Sequence, residues 1–142
     1  MMFSAVVKPA PDPIPVDRPL FSCKVRAGFP SPAQDHIDRS LDLNELMKTD
    51  KPSVFYLRLE GESMILAGMH QGDYLVVDRA LTPVHNNIVI AVLDGELTVK
   101  RLWLHGDHVE LHPANPDFQV IHIANDRDFS VWGVVTGIVR QL

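Results

Sequence analysis

From Ser53 onward, short hydrophobic runs alternate with turn-forming residues. The runs are rich in Val, Ile, Leu and aromatic residues, and many alternate apolar with polar positions, the period of a strand with one buried face. In chain order they are SVFYLRLEG, DYLVVD, NIVIAVLDG, ELTVKRLWL, HVELHP, QVIHI and FSVWGVVTGIVRQL. Runs of this length, separated by Gly, Asp, Asn and Pro, are typical of all-β proteins. We therefore predict a mainly β fold, a small and strongly bent antiparallel β domain.

The clearest local prediction is a hairpin at Asp94-Gly95. This dipeptide stands between two alternating segments, in IAVLDGELTVKRL. Asp-Gly favours a two-residue turn because both positions of that turn need positive φ. The sequence predicts that strand 88–93 pairs with strand 96–104.

The chain before residue 35 has a different character. Seven of the eleven prolines lie within its first 32 residues, in segments such as PAPDPIP and FPSP. Proline has a fixed φ and no backbone N–H, so it disfavours helix and interior sheet alike. We predict an extended N-terminal arm over residues 1–34 and a β-rich domain over residues 35–142.

A short helix is predicted near residues 42–48. Asp42 and Glu45 have the spacing of a capping box, and Leu43, Leu46 and Met47 follow at helical offsets. The element has one or two turns and is too short to form a domain.

Length and composition limit the class of protein. A chain of 142 residues fits one domain and buries roughly two thirds of its unfolded surface. The single cysteine, Cys23, rules out an internal disulfide, and no apolar run is long enough to span a bilayer. Prolines interrupt the N-terminus, which is not that of a signal peptide. We expect a cytoplasmic protein without a membrane segment.

The charge is unevenly distributed along the chain. Residues 1–27 carry a net charge of +2, and the remaining 115 residues carry −7. Affinity for the phosphate backbone of nucleic acid comes mainly from Lys and Arg. The acidic body is therefore not expected to bind DNA tightly.

Ser63, in LEGESMILAGM, has two interpretations. It is either a turn residue between a strand and a short apolar helix, or a nucleophile that needs a base nearby.

Lys100, in ELTVKRLWL, is the candidate base. Alternation places Thr98 and Lys100 on one face of a strand and Arg101 on the other, and both faces are largely apolar. Lys100 either extends its ammonium into water along the sheet edge or is partly desolvated. Desolvation without a counter-charge lowers a lysine pKa, so that the amine can accept a proton near neutral pH.

Several segments together resemble the self-cleaving proteins of the bacterial SOS response. They are FPSP at 29–32, DLNEL at 42–46, Gly61-Glu62-Ser63-Met64, Gly72-Asp73 leading into YLVVD, Asp94-Gly95 leading into TVKR, and WGVV at 132–135. The likeness runs from about Phe21 to the C-terminus and is closest to the UmuD type, with the LexA repressor more distant. It implies the β fold of the LexA/UmuD C-terminal domain.

The resemblance implies roles for individual residues. Ser63 corresponds to the nucleophile and Lys100 to its base, and the scissile bond corresponds to Ala27-Gly28. Glu62 stands where the family usually has aspartate. The oxyanion is expected to bind backbone N–H groups of the same turn, with Ser63 and Glu62 as the candidates.

The resemblance also implies partners. Proteins of this type cleave themselves when stimulated by a RecA filament on single-stranded DNA. The trimmed chain then acts as a homodimer with a UmuC-type error-prone polymerase in translesion synthesis. No cofactor is implied.

Other classes of function are less favoured. A LexA-type repressor needs a helix-turn-helix domain before the cleavage site, and 27 proline-rich residues are not expected to form one. Sequence-specific DNA binding is therefore not expected. A signal peptidase would need a membrane anchor. His105, His108 and His112 cross a predicted turn, and we expect no metal there. The remaining alternative is a non-catalytic module of the same fold that contacts RecA or a polymerase.

Overall fold

The computed structural model describes residues 6–21, 25, 27–28 and 37–142. Its strands and helix, in chain order, are β1 Arg18–Phe21, β2 Ile37–Leu41, α1 Leu43–Met47, β3 Val54–Arg58, β4 Tyr74–Asp78, β5 Ile88–Leu93, β6 Glu96–His105, β7 His108–His112, β8 Ile121–Ile123 and β9 Phe129–Val139. A 3-10 helix occupies Ile65–Ala67. Cys23 and the FPSP segment at 29–32 lie outside the described residues.

Seven strands form one antiparallel sheet in the order β3-β4-β9-β5-β6-β7-β8. Each of the seven runs from Ser53 onward contains one of these strands, which confirms the mainly β fold. The last strand, β9, lies between β4 and β5, and its register shifts once against each neighbour. Such irregularities bend a strand and increase its local twist, in agreement with the predicted bent sheet.

The hairpin at Asp94-Gly95 is confirmed. Leu93 pairs with Glu96, and Asp94 and Gly95 have φ values of 51° and 83°. Positive φ at both central residues is the geometry of a type I′ turn, which matches the twist of the strands it joins. The turn aligns β5 with β6 and fixes the position of Lys100 opposite Val89.

The predicted helix is present as α1, but the capping box is not formed. Asp42 is the N-cap residue and makes no side-chain capping bond. Its carboxylate instead accepts a hydrogen bond from the backbone N–H of Val16 at 3.4 Å. The side chain of Asp42 thus contacts the N-terminal arm rather than its own helix.

Two hydrophobic clusters form the core. The cluster nearer Ser63 contains Met64, Met69, Ile90 and Trp132, together with Leu57, Leu59, Leu75 and Val77. The second lies farther along the sheet and contains Val89, Ala91, Leu102, Leu111 and Val134. Because β5 contributes Ile90 to one cluster and Val89 to the other, both faces of this strand are buried.

Parts of the N-terminal segment pair with the rest of the chain. β1 pairs antiparallel with β2, and Val7 forms an isolated antiparallel bridge with Tyr56 of β3. The division into an arm over 1–34 and a domain over 35–142 remains a prediction. Among the residues that the structure describes, no helix has the length and apolar character required to cross a bilayer.

Candidate active site

Ser63 lies in a tight turn between β3 and the 3-10 helix. The turn begins at Gly61, whose φ of 88° belongs to the region that favours glycine. Ser63 itself is half-buried, whereas the next residue, Met64, is fully buried in the core. Burial of Met64 therefore holds the backbone of the turn while the serine hydroxyl faces the cleft described below.

A distant loop holds the same turn from the other side. The N–H of Ala114 donates to the Ser63 carbonyl at 2.7 Å, and the Ala114 carbonyl accepts from Leu66 at 2.8 Å. The side chain of Asn115 donates to the carbonyl of Glu62 at 2.9 Å. These three bonds limit the motion of the backbone around Ser63.

Lys100 lies in the middle of β6 and is buried, with 7% of its surface exposed. Its Nζ donates to Ser63 Oγ at 3.1 Å, to Thr98 Oγ1 at 2.9 Å and to the Val99 carbonyl at 3.1 Å. The strand lies between β5 and β7 rather than at the sheet edge. The interpretation in which the ammonium extends into water is therefore wrong, and the desolvated one describes the structure.

Burial lowers the pKa of Lys100 below its ordinary value of 10.5. An ammonium in low-dielectric surroundings loses hydration, and an adjacent carboxylate would offset that loss. Within the described residues, no carboxylate forms an ion pair with Lys100. The next residue of β6, Arg101, donates a hydrogen bond from its guanidinium to the carbonyl of Asn86 at 2.9 Å.

Free backbone donors surround the serine. In the part of the chain that the structure describes, the N–H groups of Glu62, Ser63 and Met64 donate no hydrogen bond. Free N–H groups beside a nucleophile are the donors that an oxyanion needs. The Glu62 side chain is exposed. Its assignment to the oxyanion hole concerns only the backbone and remains a prediction.

A cleft of about 690 Å³ opens beside Ser63. Its walls are mainly apolar and include Leu57, Leu59, Leu75, Ile90, Leu97 and Val99. Val7, from the N-terminal segment, also lines it. An apolar cleft next to a strand edge is suited to an extended peptide with small or aliphatic side chains.

The predicted scissile bond lies outside this cleft. Ala27 and Gly28 are both exposed, and neither lines the cleft. A Cβ built on Gly28 would have no atom within 4 Å. The structure brings Ser63 and Lys100 together but leaves the predicted bond in solvent.

The side chains of the histidine-rich turn lie in pairs. His105 pairs with His108 across the β6–β7 connection, while Glu110 contacts His112 at 3.1 Å and His122 at 2.6 Å. Among the described residues, no group of three or more His, Cys, Asp or Glu side chains is arranged to hold a metal ion.

Sequence reasoning missed some residues of the site. Strand alternation already placed Thr98 on the face of Lys100, and its hydroxyl was a detectable partner for the amine. Ala114 and Asn115 are more than 50 residues from the serine turn, and their own sequence carries no signal for this contact.

Comparison with known proteins gives a family match. A family model described as Peptidase S24-like matches residues 19–136. The chain is 45% identical over 126 residues to Protein ImpA of Escherichia coli, covering 87% of this chain and 84% of ImpA. It is 43% identical over 119 residues to Protein MucA of Escherichia coli, covering 83% and 81%. The LexA repressor of Syntrophotalea carbinolica is 48% identical over 87 residues, covering 61% of this chain and 43% of the repressor.

Proposed function

Because the chain belongs to the Peptidase S24-like family, we propose that it cleaves itself between Ala27 and Gly28. The family match confirms the predicted resemblance to UmuD-type and LexA proteins. The chain is an SOS-related protein of the UmuD type and of the serine peptidase kind. We propose further that Ser63 is the nucleophile and Lys100 its general base.

The contact between Lys100 Nζ and Ser63 Oγ, 3.1 Å long, is the observation that supports this proposal most directly. It lies within the distance over which a base can take a hydroxyl proton. Burial also lowers the pKa of the lysine, which increases the neutral fraction of the amine at a given pH. Distance and protonation state therefore both favour activation of the serine.

The other partners of Lys100 orient its lone pair. A neutral amine has two N–H groups, and Thr98 Oγ1 and the Val99 carbonyl are positioned to accept them. The lone pair then faces the third neighbour, Ser63 Oγ. We infer that this arrangement lets the serine hydroxyl donate to Nζ before the reaction.

The reaction would proceed through an acyl-enzyme. Ser63 Oγ attacks the carbonyl carbon of Ala27 while its proton passes to Lys100 Nζ. The bond between Ala27 and Gly28 breaks, and Lys100 returns the proton to the leaving amine of Gly28. Water then hydrolyses the ester, with Lys100 as the base again.

Backbone N–H groups of the serine turn would stabilise the oxyanion. The N–H of Ser63 is the first candidate, with Glu62 on one side and Met64 on the other. None of the three donates a hydrogen bond within the described residues, so each is available to the developing charge. The loop at Ala114 holds this turn in place, so little reorganisation is needed during the reaction.

Cleavage requires the segment containing Ala27 and Gly28 to enter the cleft. Both residues are small, so the backbone can approach Ser63 closely. Both residues are exposed and lie outside the cleft in this structure, so we infer that the segment must move before cleavage. A stimulus that moves the segment into the cleft would thus control the reaction.

We infer the stimulus and partners from family membership. A RecA filament on single-stranded DNA would promote cleavage, and the trimmed homodimer would act with a UmuC-type error-prone polymerase. We expect these events in the cytoplasm.

Intact mass spectrometry tests the proposal. The chain is incubated at alkaline pH, and separately with RecA, nucleotide and single-stranded DNA. We expect a fragment beginning at Gly28, and we expect none from Ser63→Ala or Lys100→Ala. Continued cleavage at this bond in either variant would falsify the assignment of the dyad. An unchanged mass under both conditions would favour the non-catalytic module.

A further inference from the structure

The edge strand of the main sheet is held by a segment of the N-terminal arm. β3 is the first strand in the sheet order, with β4 on one side. On its other side, the N–H of Val7 donates to the Tyr56 carbonyl at 2.8 Å, and the Val7 carbonyl accepts from the Tyr56 N–H at 2.6 Å. This exchange is the hydrogen-bonded pair of an antiparallel ladder. Residues 6–8, here termed the Val7 segment, therefore add one antiparallel bridge to the edge of the sheet.

The Val7 segment occupies the edge that leads to Ser63. β3 ends at Arg58, and the chain reaches the serine only five residues later. Val7 lines the same cleft as Tyr56 and Ser63. An exposed sheet edge binds extended peptides through its backbone groups, so this edge is the natural place for a substrate strand.

The segment is attached by a small number of contacts. Val6 packs against the core cluster, and the ammonium of Lys8 lies 5.2 Å from the ring centroid of Phe55. Val7 itself remains 60% exposed. A single residue pair with partly exposed side chains is a weak anchor, and local opening of such an edge requires little free energy.

The direction of the segment leads away from the nucleophile. Because the bridge is antiparallel, Lys8 follows toward Phe55 and Pro9 toward Val54, at the far end of β3 from Ser63. Pro9 has no N–H and cannot extend the ladder as a donor. From Val7 to Pro9, the chain fills the edge without bringing its own peptide bonds toward the serine.

The described residues next to the predicted scissile bond are exposed in the same structure. Val25 is 92% exposed, and Gly28 has free space around it. We propose that the Val7 segment is an internal competitor for the β3 edge, and that it must leave before the segment containing Ala27 and Gly28 can bind there. This rests on the proposed self-cleavage and adds a regulatory step at the same site.

The first test compares Val7→Pro with Ile14→Pro in the full-length chain. Val7→Pro removes the backbone N–H that donates to the Tyr56 carbonyl. Ile14 is 82% exposed, and its N–H makes no hydrogen bond within the described residues, so it controls for adding a proline to the arm. Loss of the backbone pair should raise the rate of self-cleavage about two- to tenfold at alkaline pH. Ile14→Pro should cleave at the rate of the unmodified chain. An unchanged or slower rate for Val7→Pro overturns the competition.

A second measurement separates competition from catalysis. The probe is a labelled synthetic peptide of residues 20–34, added to full-length chains that also carry Ser63→Ala. We expect it to bind about two- to tenfold more tightly to the Val7→Pro chain than to the Ile14→Pro chain. If no chain cleaves itself but the affinities differ, self-cleavage fails and the competition stands. Equal affinities overturn the competition even where cleavage occurs.

Discussion

Thr98 and Lys100 share one face of β6, and the Thr98 hydroxyl accepts a hydrogen bond from Lys100 Nζ at 2.9 Å. The two residues are separated by one position, so strand geometry alone brings them to the same side. Thr98 does not contact the reacting atoms in this arrangement. Its effect on the reaction would operate through the orientation of the lysine.

We predict that Thr98→Val slows self-cleavage about tenfold, the effect of one lost hydrogen bond. Valine keeps the shape of the side chain but cannot accept from Nζ. Loss of an acceptor also disfavours the charged amine, so the pH–rate profile should move to lower pH while the maximal rate falls. Thr98→Ser keeps the hydroxyl and should restore both quantities. A slower Thr98→Val with an unmoved profile would mean that Thr98 has only a structural role.

The pH dependence of cleavage should follow the Lys100 amine. Burial lowers its pKa below 10.5. The rate should therefore rise with pH and reach its plateau at a lower pH than a lysine of ordinary pKa would give. Lys100→Arg should show no cleavage at any pH in this range, because a guanidinium does not deprotonate there. Circular dichroism of Lys100→Arg checks that the chain is folded. A profile with its midpoint at or above 10.5 would contradict a desolvated base.

Lys100 should also make stability depend on pH. Its pKa is lower in the folded chain than in the unfolded chain, so between these two values the unfolded chain binds more protons. The free energy of unfolding should therefore increase with pH up to about 10.5 and decrease as pH falls through the lowered value. Urea titrations of Ser63→Ala with and without Lys100→Met measure this difference without cleavage. If the free energy of unfolding changed equally with pH in the two chains, the lowered pKa of Lys100 would be contradicted.

The buried carboxylate of Asp73 pairs with the partly exposed guanidinium of Arg140, and this pair holds the loop after Ser63. Arg140 donates to both carboxylate oxygens of Asp73, at 2.6 and 2.7 Å, and also to the carbonyl of Gly68 at 2.8 Å. Hydrogen bonds from Arg140 lower the pKa of Asp73 from 3.8 to about 2. Its stabilising contribution, of about 2 kcal/mol, should be complete above pH 3.8 and lost as pH falls toward 2.

We predict that Arg140→Ala lowers the free energy of unfolding by about 2 kcal/mol at neutral pH, because it leaves the buried Asp73 carboxylate without its counter-charge. Arg127→Ala is the matched control. It breaks a pair of similar arginine exposure in which the partner carboxylate, Asp94, is exposed rather than buried, and should cost less than about 1 kcal/mol. Chemical denaturation of the three chains decides the comparison, and similar losses in both variants would contradict it.

Gly133 provides a test of packing in β9. A Cβ at this position would lie 2.5 Å from Cγ1 of the buried Val77. Gly133→Ala should therefore lower the free energy of unfolding by about 1–3 kcal/mol. Gly137→Ala should cost less, because its Cβ would meet the flexible end of the Met47 side chain. Val77→Ala alone should also cost stability, but the double variant Gly133→Ala with Val77→Ala should lose less than the sum of the two single losses. Additive losses would place the strain elsewhere.

Local features of this fold were predictable from sequence. The period of each run identified the strands, and Asp94-Gly95 identified the β5–β6 hairpin, because both depend on neighbouring residues only. Alternation also placed Thr98 and Lys100 on one face. The capping box at Asp42 was wrong in detail because the arm offered its carboxylate another donor, the N–H of Val16.

Family resemblance identified Ser63 and Lys100 as partners, but only the tertiary structure gave their distance and environment. The two residues are 37 positions apart and meet because β6 lies beside β5 while the serine turn packs on the same core. The desolvation of Lys100 is a sum over surrounding atoms from several strands, so no single segment encodes it.

The sequence by itself determined the strands, the hairpin and the chemical groups of the site. The tertiary structure decided that β9 lies between β4 and β5, that the loop at Ala114 holds the serine turn, and that Val7 occupies the edge of β3. Strand period and turn type follow from steric preferences within a few residues. Strand order, loop contacts and edge occupancy depend instead on which distant surfaces bury each other with the lowest total free energy, a property of the whole chain.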